Sequence, residues 1–403
     1  MVATFEQALS IVQERIGGAN PMPATETVPL EQAHGRVLAE DVTADRDLPP
    51  FHRAIRDGYA LRAADLTALP AVLRCVGEIP AGRHFEGVVN PGECVSIMTG
   101  APVPAGADAV VMLEHTQALG DDVEIRCDVQ PWENIVRQGS EAGVGVRVLP
   151  RGRRLHPAEI GLLATVGTAS VAVYEQPRVA ILPTGDEVVP VSQQPQWFEI
   201  RNSNALSLAA QVTAAGGLPV QLDIAPDRKD VLRERIEQGL DSDLILLSGG
   251  VSMGKFDLVE EVLAELGAEF FFQGVAIRPG KPLVFGRIRR RFFFGLPGNP
   301  VSTFVTFELF VRPALALLGG AAFEPPVFLR ARLAKPCRQK TGMTMFMPAR
   351  VGVQNGDPVV ELVGWQGSGD LVGIAAANCF LVIHPDQTEL TPGDWVDVMP
   401  KGQ

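Results

Sequence analysis

The stretch that decides the fold is Leu244-Ile-Leu-Leu-Ser-Gly-Gly-Val-Ser-Met-Gly-Lys-Phe-Asp257. Its four aliphatic residues predict a strand that is buried on both faces. Ser248, Gly249 and Gly250 then break the strand, because glycine tolerates positive φ and lets a ligand approach the backbone. Asp257 is a good N-cap for the apolar-periodic helix 258–266. A strand, a glycine-rich loop and a helix in this order suit the binding of a phosphate or another oxyanion.

Two well-known motifs nearly match this stretch. Residues 249–255 fit G-x-x-x-x-G-K, but a nucleotide-binding P-loop next requires Ser or Thr, and the chain has Phe256. Residues 250–254 fit G-x-S-x-G, which would make Ser252 the nucleophile of a serine hydrolase. That reading requires the serine to lie at a sharp strand-to-helix turn, and here the strand already ends at Ser248. A tight connection without any ligand is the third alternative.

Residues 170–320 alternate between strand and helix patterns. This alternation predicts a central, doubly wound α/β domain with a parallel sheet and helices on both faces. We expect Asn204 to cap the helix 205–215. Loops that follow Leu182, Leu247 and Leu296 should converge, since ligands gather at the carboxyl ends of parallel strands. The predicted strands are 178–183, 219–224, 244–247 and 292–296, with more near 270–277 and 282–287, and the helices are 205–215, 229–239, 258–266 and an apolar helix ending at Leu318.

The flanking regions have β patterns. Between about 50 and 145, short alternating runs separated by Gly and Pro predict a β-rich inserted domain. From about 325 onward the pattern predicts a small barrel or sandwich, in which Asn355-Gly356 is a hairpin turn signal. At the N-terminus, Thr4-Phe-Glu-Gln7 resembles a capping box, and 37–42 reads as a strand.

Composition restricts the class of partner and the compartment. The chain has 403 residues, so several domains are expected, and its net charge of −12 argues against nucleic acid or acidic membranes. Five cysteines without a C-x-x-C pair favour a reducing cytoplasm. No apolar run approaches the length of a membrane span, and the six histidines form no H-x-x-x-H pair typical of zinc.

Four carboxylates follow strand ends that should be neighbours, namely Asp186, Glu187, Asp227 and Asp257. Carboxylates grouped at one edge repel one another unless a cation lies among them, and a hard divalent ion such as Mg²⁺ is the natural partner. The alternative is that Asp227 and Asp257 only cap helices while Glu187 faces solvent.

Two proline-stiffened loops are candidates for anion binding. Arg278-Pro-Gly-Lys-Pro282 places two cations on one loop, although a solvated basic turn would read the same way. Pro297-Gly-Asn-Pro-Val-Ser302 fixes a loop before a helix N-terminus, and it also fits a rigid connector.

Seven segments, taken in order, resemble the molybdopterin molybdenumtransferase family, known as MoeA in bacteria and as the E domain of gephyrin in animals. Each motif alone is unspecific, but the ordered set covers nearly the whole chain. The segments are Asp57-Gly-Tyr-Ala60, Met98-Thr-Gly-Ala-Pro-Val-Pro104, Thr184-Gly-Asp-Glu187, Ser248-Gly-Gly-Val-Ser252, Arg278-Pro-Gly-Lys-Pro282, Leu296-Pro-Gly-Asn-Pro-Val-Ser302 and Gln366-Gly-Ser368.

The resemblance implies the last step of molybdenum cofactor assembly. Adenylylated molybdopterin loses AMP with the help of a divalent metal, and molybdate is placed on the dithiolene sulfurs. It also implies an elongated homodimer with a cleft between the subunits, and transient contact with the molybdopterin-adenylating protein and with apo-molybdoenzymes. The chain would divide into an α/β molybdopterin-binding domain (1–26 and 168–322), a linking domain (27–48 and 146–167), the β-rich insert (49–145) and a C-terminal β domain (323–403).

The resemblance also assigns site residues. Asp57 and Thr99 would face the cleft from the insert, and Glu187, Asp227 and Asp257 would manage metal, water and molybdate. The pterin phosphate would be bound by Ser248, Gly249, Gly250 and Ser252. The rest of the cleft would be lined by Arg278, Lys281, Pro297, Asn299, Pro300 and Ser368, with Glu141 as a further substrate-binding residue.

Five positions depart from the family pattern, namely Ala54, Arg56, Glu141, Gly274 and Pro348. Ala54 and Arg56 replace the usual Ser and Met before Asp57, and Glu141 replaces an Asp. Pro348 stands where an Arg is usual, with Arg350 close by, and Gly274 stands where a Lys is common. These changes bear on anion placement and on the choice between molybdate and tungstate. They also leave open a second hypothesis, a molybdopterin-binding scaffold or carrier without turnover.

Overall fold

The computed structural model of the protein describes residues 2–19, 22–250, 258–339 and 342–402. The predicted site residues Ser252 and Asp257 lie outside the described residues. The elements form three six-stranded sheets and several two-stranded ribbons within this part of the chain. The α/β multidomain prediction is therefore confirmed.

The central sheet is mixed, whereas the sequence pattern predicted a parallel one. Four strands run parallel, and the last two are antiparallel to their neighbours. The physical reason is the loop between the strands that end at Ile288 and begin at Arg291. This loop has only two residues, Arg289 and Arg290. So short a loop can only build a hairpin, and a hairpin pairs its strands antiparallel. The strand order is Leu218–Gln221, Arg178–Pro183, Leu244–Ser248, Arg291–Leu296, Val284–Ile288, Glu269–Gln273.

Helices cover both faces of this sheet, as predicted. Because successive strand residues point to opposite faces, Phe292 and Phe294 join one core while Phe293 joins the other. The first face carries the helices Phe5–Ala19, Ser203–Ala214 and Pro300–Leu318, and the second carries Lys229–Gly239 and Leu258–Glu265.

The helix Pro300–Leu318 corrects one expectation. With 19 residues it is long and apolar enough to cross a membrane, so among the described residues there is one apolar segment of membrane-spanning length. In the fold, 83% of an 18-residue stretch of this helix is buried. It is therefore a core helix, and its middle turn, Phe307–Val311, is wound as a π-helix.

Residues between 58 and 125 form the second six-stranded sheet, which confirms the β-rich pattern. One pair in it, Ala71–Ile79 with Glu93–Ile97, is parallel, and the other pairs are antiparallel. The order is Ala109–Met112, Gly58–Leu61, Glu93–Ile97, Ala71–Ile79, Asp122–Ile125, Thr116–Leu119.

The C-terminal strands close into a five-stranded barrel, because the last strand pairs back with the first. Asn355 and Gly356 both have positive φ, 52° and 90°, as the predicted hairpin turn requires. The strand Ile277–Arg278 extends this sheet through parallel pairing with Thr344 and Met345. Around the barrel the order is Thr344–Gln354, Asp357–Leu362, Leu329–Leu333, Trp395–Pro400, Cys379–Ile383. The short helix Leu371–Ala376 precedes the last-named strand.

Short ribbons join these units. The predicted strand 37–42 is wrong: Val37 and Leu38 make only isolated bridges, and a two-residue strand begins at Val42. The helix Pro157–Thr165 has Pro at its start and Gly167 after its end. The ribbons are Thr25–Pro29 with Ser170–Tyr174, Val42–Thr43 with Arg147–Leu149, Arg53–Ala54 with Ile135–Val136, Val188–Val189 with Ile200–Arg201, and Cys337–Arg338 with Glu389–Leu390.

Capping contacts explain two helix starts. Thr4 and Gln7 form the predicted capping box, in which each backbone N–H donates to the other's side chain. The cap of the helix Ser203–Ala214 was predicted wrongly. Asn202 caps it, because its side chain accepts from the Ala205 N–H at 3.1 Å, and this leaves Asn204 free for other contacts.

Candidate functional site

Three loops meet at the carboxyl ends of adjacent strands, as predicted. The Thr184 N–H donates to the Ser248 carbonyl at 3.0 Å, and the Gly249 N–H donates to the Leu296 carbonyl at 3.2 Å. These bonds continue the parallel ladder by one step and hold the loops side by side. The motifs that begin at Thr184, Ser248 and Leu296 therefore share one edge of the sheet.

Glycine is required at the bend between them. Gly249 and Gly250 have φ of +99° and +66°, which residues with a side chain rarely adopt. The first side-chain carbon of any replacement at Gly249 would lie 2.7 Å from the Thr184 carbonyl oxygen, and at Gly250 it would lie 2.5 Å from Val259 Cγ2. The space that a Cβ would fill is taken by neighbouring backbone and packing, so the bend is fixed by the fold.

Asn204 connects two of the three loops. Its Nδ2 donates to Ser248 Oγ at 3.0 Å and to the Gly298 carbonyl at 2.8 Å. Both hydrogens of the amide are thereby used. The sequence pattern had suggested only a capping role, and no local signal points to these contacts, since the partners lie 44 and 94 residues away along the chain.

Asp186, Glu187 and Asp227 lie together beside this edge. Asp186 Oδ1 accepts from the Asp227 N–H at 3.0 Å. Burial raises the pKa of the Asp227 carboxyl above its ordinary value, and the charges of Asp186 and Glu187 add to that increase. Carboxylates that repel one another in this way fit a bound cation. No three His, Cys, Asp or Glu side chains form a metal-binding group within residues 2–19, 22–250, 258–339 and 342–402. The third predicted ligand, Asp257, lies outside the described residues.

The raised pKa of Asp227 predicts a pH-dependent change in stability. A carboxyl whose pKa is raised on folding favours the folded state at low pH, and this contribution is lost as the pH rises through the folded pKa. We expect Asp227→Asn to raise the melting temperature at pH 7 relative to the parent protein, and to have no such effect near pH 3.5. Thermal unfolding across this range checks it, with Asp241→Asn as the surface control. Equal shifts at both pH values would contradict the explanation.

A cleft of about 430 Å³ gathers most of the residues predicted to line the substrate site. Pro300 begins the adjoining helix, and the Val301 N–H donates to the Ser368 carbonyl at 2.9 Å, so the two loops are tied together. The predicted residues in the lining are Arg278, Lys281, Pro297, Asn299 and Ser368. Trp365 and Met343 also line the cleft, and they were missed because an isolated Trp or Met carries no local signal of a site.

Asp57 and Thr99 form a separate pair in the β-rich sheet. Asp57 Oδ1 accepts from the Thr99 N–H at 2.6 Å and from Thr99 Oγ1 at 2.7 Å. These hydrogen bonds lower the pKa of the Asp57 carboxyl, so it carries its charge at neutral pH. Both side chains are exposed. Among the described residues of this chain, the hydrogen bonds of Asp57 and Thr99 join residues of the same sheet region.

Glu141, the predicted substrate-binding residue of the insert, has a partner of its own. Its carboxylate is 3.3 Å from the Arg53 guanidinium, and its N–H donates to the Leu48 carbonyl. The larger Glu in place of Asp thus reaches a cation of the insert, and the pair is largely exposed. Substrate binding by Glu141 stays a prediction.

Three further departures from the family pattern, Ala54, Gly274 and Pro348, can be related to their local contacts. Ala54 is buried and exchanges backbone hydrogen bonds with Gly100 and Ala101, so the position has no place for a hydrated hydroxyl. Gly274 has φ of +120° and accepts from the Ala3 N–H, which disfavours a lysine there. Arg350, close to Pro348, donates to the Ala376 carbonyl at 3.0 Å.

Three family models match the chain in succession. They are the MoeA N-terminal region (domain I and II) over residues 3–167, a probable molybdopterin binding domain over 180–317, and the MoeA C-terminal region (domain IV) over 330–401. Together they cover most of the chain. The finer boundaries between the linking domain and the insert stay a prediction.

Curated relatives match over nearly the full length. A protein named molybdopterin molybdenumtransferase from Staphylococcus aureus (strain COL) is 35% identical over 399 residues, covering 96% of this chain and 94% of its own. A protein of the same name from Bacillus subtilis (strain 168) is 36% identical, covering 93% of this chain and 89% of its own.

Solved structures agree. The crystal structure of the molybdopterin biosynthesis MoeA protein from Pyrococcus horikoshii OT3 is 30% identical, covers 99% of this chain and 100% of its own, and has a TM-score of 0.82. A second crystal structure of that MoeA protein gives a TM-score of 0.73 at 32% identity, with 99% of each chain covered.

Proposed function

The chain belongs to the molybdopterin molybdenumtransferase family, and from this premise we propose that it inserts molybdate into adenylylated molybdopterin with release of AMP. It is a transferase of molybdenum cofactor biosynthesis. The observation that supports the specific reaction is the shared sheet edge, where a glycine bend, a basic cleft and a carboxylate group lie next to one another.

Each part of this edge suits one part of the substrate. The bend at Ser248, Gly249 and Gly250 would bind the phosphate of the pterin, together with Ser252. Arg278 and Lys281 would bind the phosphate groups or the molybdate oxyanion, because both cations lie on the rim of the cleft. Pro297, Asn299 and Ser368 of the lining, with Pro300 at the start of the adjoining helix, would hold the pterin in position, and Trp365 offers a flat apolar wall.

The carboxylates Glu187, Asp227 and Asp257 would hold Mg²⁺. When bound, the ion would neutralise charge on the pyrophosphate link and polarise the phosphorus–oxygen bond. Asp227 would also accept a proton from the attacking water, through the carboxylate oxygen that does not contact the ion. That water adds to the adenylyl phosphorus, the bond to the bridging oxygen breaks, and AMP leaves while molybdopterin keeps its own phosphate. The two dithiolene sulfurs then replace two oxides of molybdate, which leave as water after protonation, with no change in oxidation state.

Asp57 and Thr99 would act in the cleft of the second subunit of a homodimer. Two observations support this assignment. Both residues are exposed, and among the described residues of this chain they make no hydrogen bond to the sheet edge at Thr184 and Ser248. Asp57 stays ionised, so it would accept a hydrogen bond from a water molecule in the cleft and orient it. Glu141 would act near the same cleft through its pair with Arg53.

We also propose a cytoplasmic location, with the molybdopterin-adenylating protein as donor and apo-molybdoenzymes as acceptors. The five cysteines, all among the described residues, are free thiols, which suits a reducing compartment. The acidic net charge of −12 disfavours nucleic acid as a partner.

The test is a turnover assay. Purified protein is mixed with adenylylated molybdopterin, molybdate and Mg²⁺, and AMP release and metal-loaded cofactor are followed. We expect both products with the parent protein, and a loss of at least about a hundredfold in turnover with Asp257→Ala. Asp241→Ala, away from the sheet edge, is the matched control. Binding of the substrate without any turnover would reject the proposal and favour a molybdopterin-binding scaffold.

A further inference from the structure

Two hydroxyl groups at the glycine bend have unused hydrogens. Ser248 is 4% exposed and its Oγ accepts from Asn204 Nδ2, so its own hydrogen must point elsewhere, and no described residue accepts it. Thr184 is 2% exposed, and its Oγ1 is buried without any hydrogen-bond partner. Native proteins rarely leave buried hydroxyls unpaired, because an unmade hydrogen bond costs free energy.

Both hydroxyls lie at the same bend. Thr184 Oγ1 would be 3.1 Å from a side-chain carbon placed at Gly249 and 3.0 Å from one placed at Gly250. Ser248 precedes the two glycines directly. The two hydroxyls point to opposite faces of the sheet, because Ser248 pairs in register with Pro183 and Thr184 is the next residue along that strand. Ser248 is therefore the donor on the face that carries Asn204, and its hydrogen is used only when an acceptor is added there. A phosphate group is such an acceptor.

Asn204 decides the direction of one donor. A serine hydroxyl can rotate and either donate or accept, but the amide of Asn204 supplies a hydrogen to its oxygen from a fixed position. The same amide is anchored on the Gly298 carbonyl, so it does not rotate freely. The Ser248 hydrogen is therefore directed away from Asn204.

We propose that Asn204 is a positioning residue of the phosphate subsite and that it orients the Ser248 hydroxyl as a donor to the substrate's phosphate. This inference rests on the proposed function, because it takes the pterin phosphate as the ligand. It adds Asn204 to the site, a residue that the quoted motifs do not include.

The first experiment is a double-mutant cycle on binding. The dissociation constant of adenylylated molybdopterin is measured by titration calorimetry, without molybdate or divalent metal, for the parent, Asn204→Ala, Ser248→Ala and the double variant. We expect each single variant to weaken binding about tenfold, as for one hydrogen bond to a charged group. Because Asn204 acts through Ser248, the double variant should bind no more than about twofold more weakly than Ser248→Ala. Multiplication of the two effects, to about a hundredfold, would overturn the positioning role.

Asn202→Ala is the matched control. It removes an asparagine from the same helix start, and it deletes the helix cap. It should lower the melting temperature while binding stays within about twofold of the parent value. If Asn202→Ala and Asn204→Ala changed binding and melting in the same proportion, Asn204 would have a structural role only, and the proposal would fail.

The second experiment uses Thr184 as a control on the other face of the sheet. Thr184→Val keeps the shape and removes a hydroxyl that has no partner in the free protein. We expect an unchanged or higher melting temperature and binding within about twofold of the parent value, because this hydroxyl does not share a face with Ser248. Binding as weak as in Asn204→Ala would show that any change at the bend lowers affinity, and it would overturn the positioning role. A parent protein that binds but does not turn over would reject the proposed reaction alone, since these tests depend on binding and not on catalysis.

Discussion

Replacing Gly58 with alanine should disrupt the β-rich sheet and inactivate the protein. Gly58 follows Asp57 and lies in the strand Gly58–Leu61, between Ile97 and Met112 of its two neighbours. The first side-chain carbon at this position would lie 1.9 Å from the Val111 carbonyl oxygen, which is backbone and cannot turn aside. We expect the free energy of unfolding to fall by at least about 3 kcal/mol, at the upper end of overpacking effects.

The loss of activity should follow from the same displacement. Asp57 is held by the N–H and hydroxyl of Thr99, at the end of the strand that pairs with Gly58. Separation of these strands would break both hydrogen bonds. Urea unfolding followed by circular dichroism and amide hydrogen exchange of residues 58–61 measure the effect, with AMP release as the functional readout.

The control for this change is Gly352→Ala. Gly352 also lies inside a strand, but no atom of a neighbouring residue would come within 4 Å of a side-chain carbon there. Its free energy of unfolding should stay within about 0.5 kcal/mol of the value for the parent protein. If the amides of residues 58–61 stayed protected from exchange in Gly58→Ala and its urea midpoint equalled that of the parent protein, the close approach of Val111 would not explain why glycine is needed at position 58.

The second large effect is expected at Glu308, a buried carboxylate on the π-turn of the core helix. Its oxygens accept from Gln211 Nε2 at 2.7 Å and from Arg312 Nε and Nη2 at 2.7 and 3.1 Å. Glu308→Ala would leave a half-buried guanidinium without its carboxylate and would remove the shorter of two hydrogen bonds made by the buried Gln211 amide. We expect the free energy of unfolding to fall by about 3 kcal/mol, as when one member of a buried ion pair is removed.

Removing both charges separates the cost of the orphaned cation from the value of the pair. Glu308→Leu combined with Arg312→Leu should recover most of the loss, because it leaves no buried charge. Glu361→Ala breaks the exposed pair with Lys335 and should cost less than about 1 kcal/mol. A double variant as unstable as Glu308→Ala would show that the pair itself, and not the orphaned charge, stabilises the helix.

Much of this protein follows from local sequence. The capping box of Thr4 and Gln7, the hairpin at Asn355-Gly356 and the helix 229–239 depend on residues that are at most a few positions apart, and the structure has all three. The convergence of three loops also follows, because parallel strands bring their carboxyl ends to one edge. The ordered motifs identified the family, although no single motif did so.

Tertiary structure decided the rest. The hairpin at Arg289 and Arg290 is local, but the order of the six strands in the central sheet depends on pairing between segments far apart in the chain, and the pattern of a buried strand does not specify its neighbours. Asn202 and Asn204 are equally good caps by residue type, and only the position of Ser248 and Gly298 in space gives Asn204 its second role. Side-chain patterns within a few residues encode strands, turns and caps, whereas contacts across 44 or 94 residues exist only after the chain has folded.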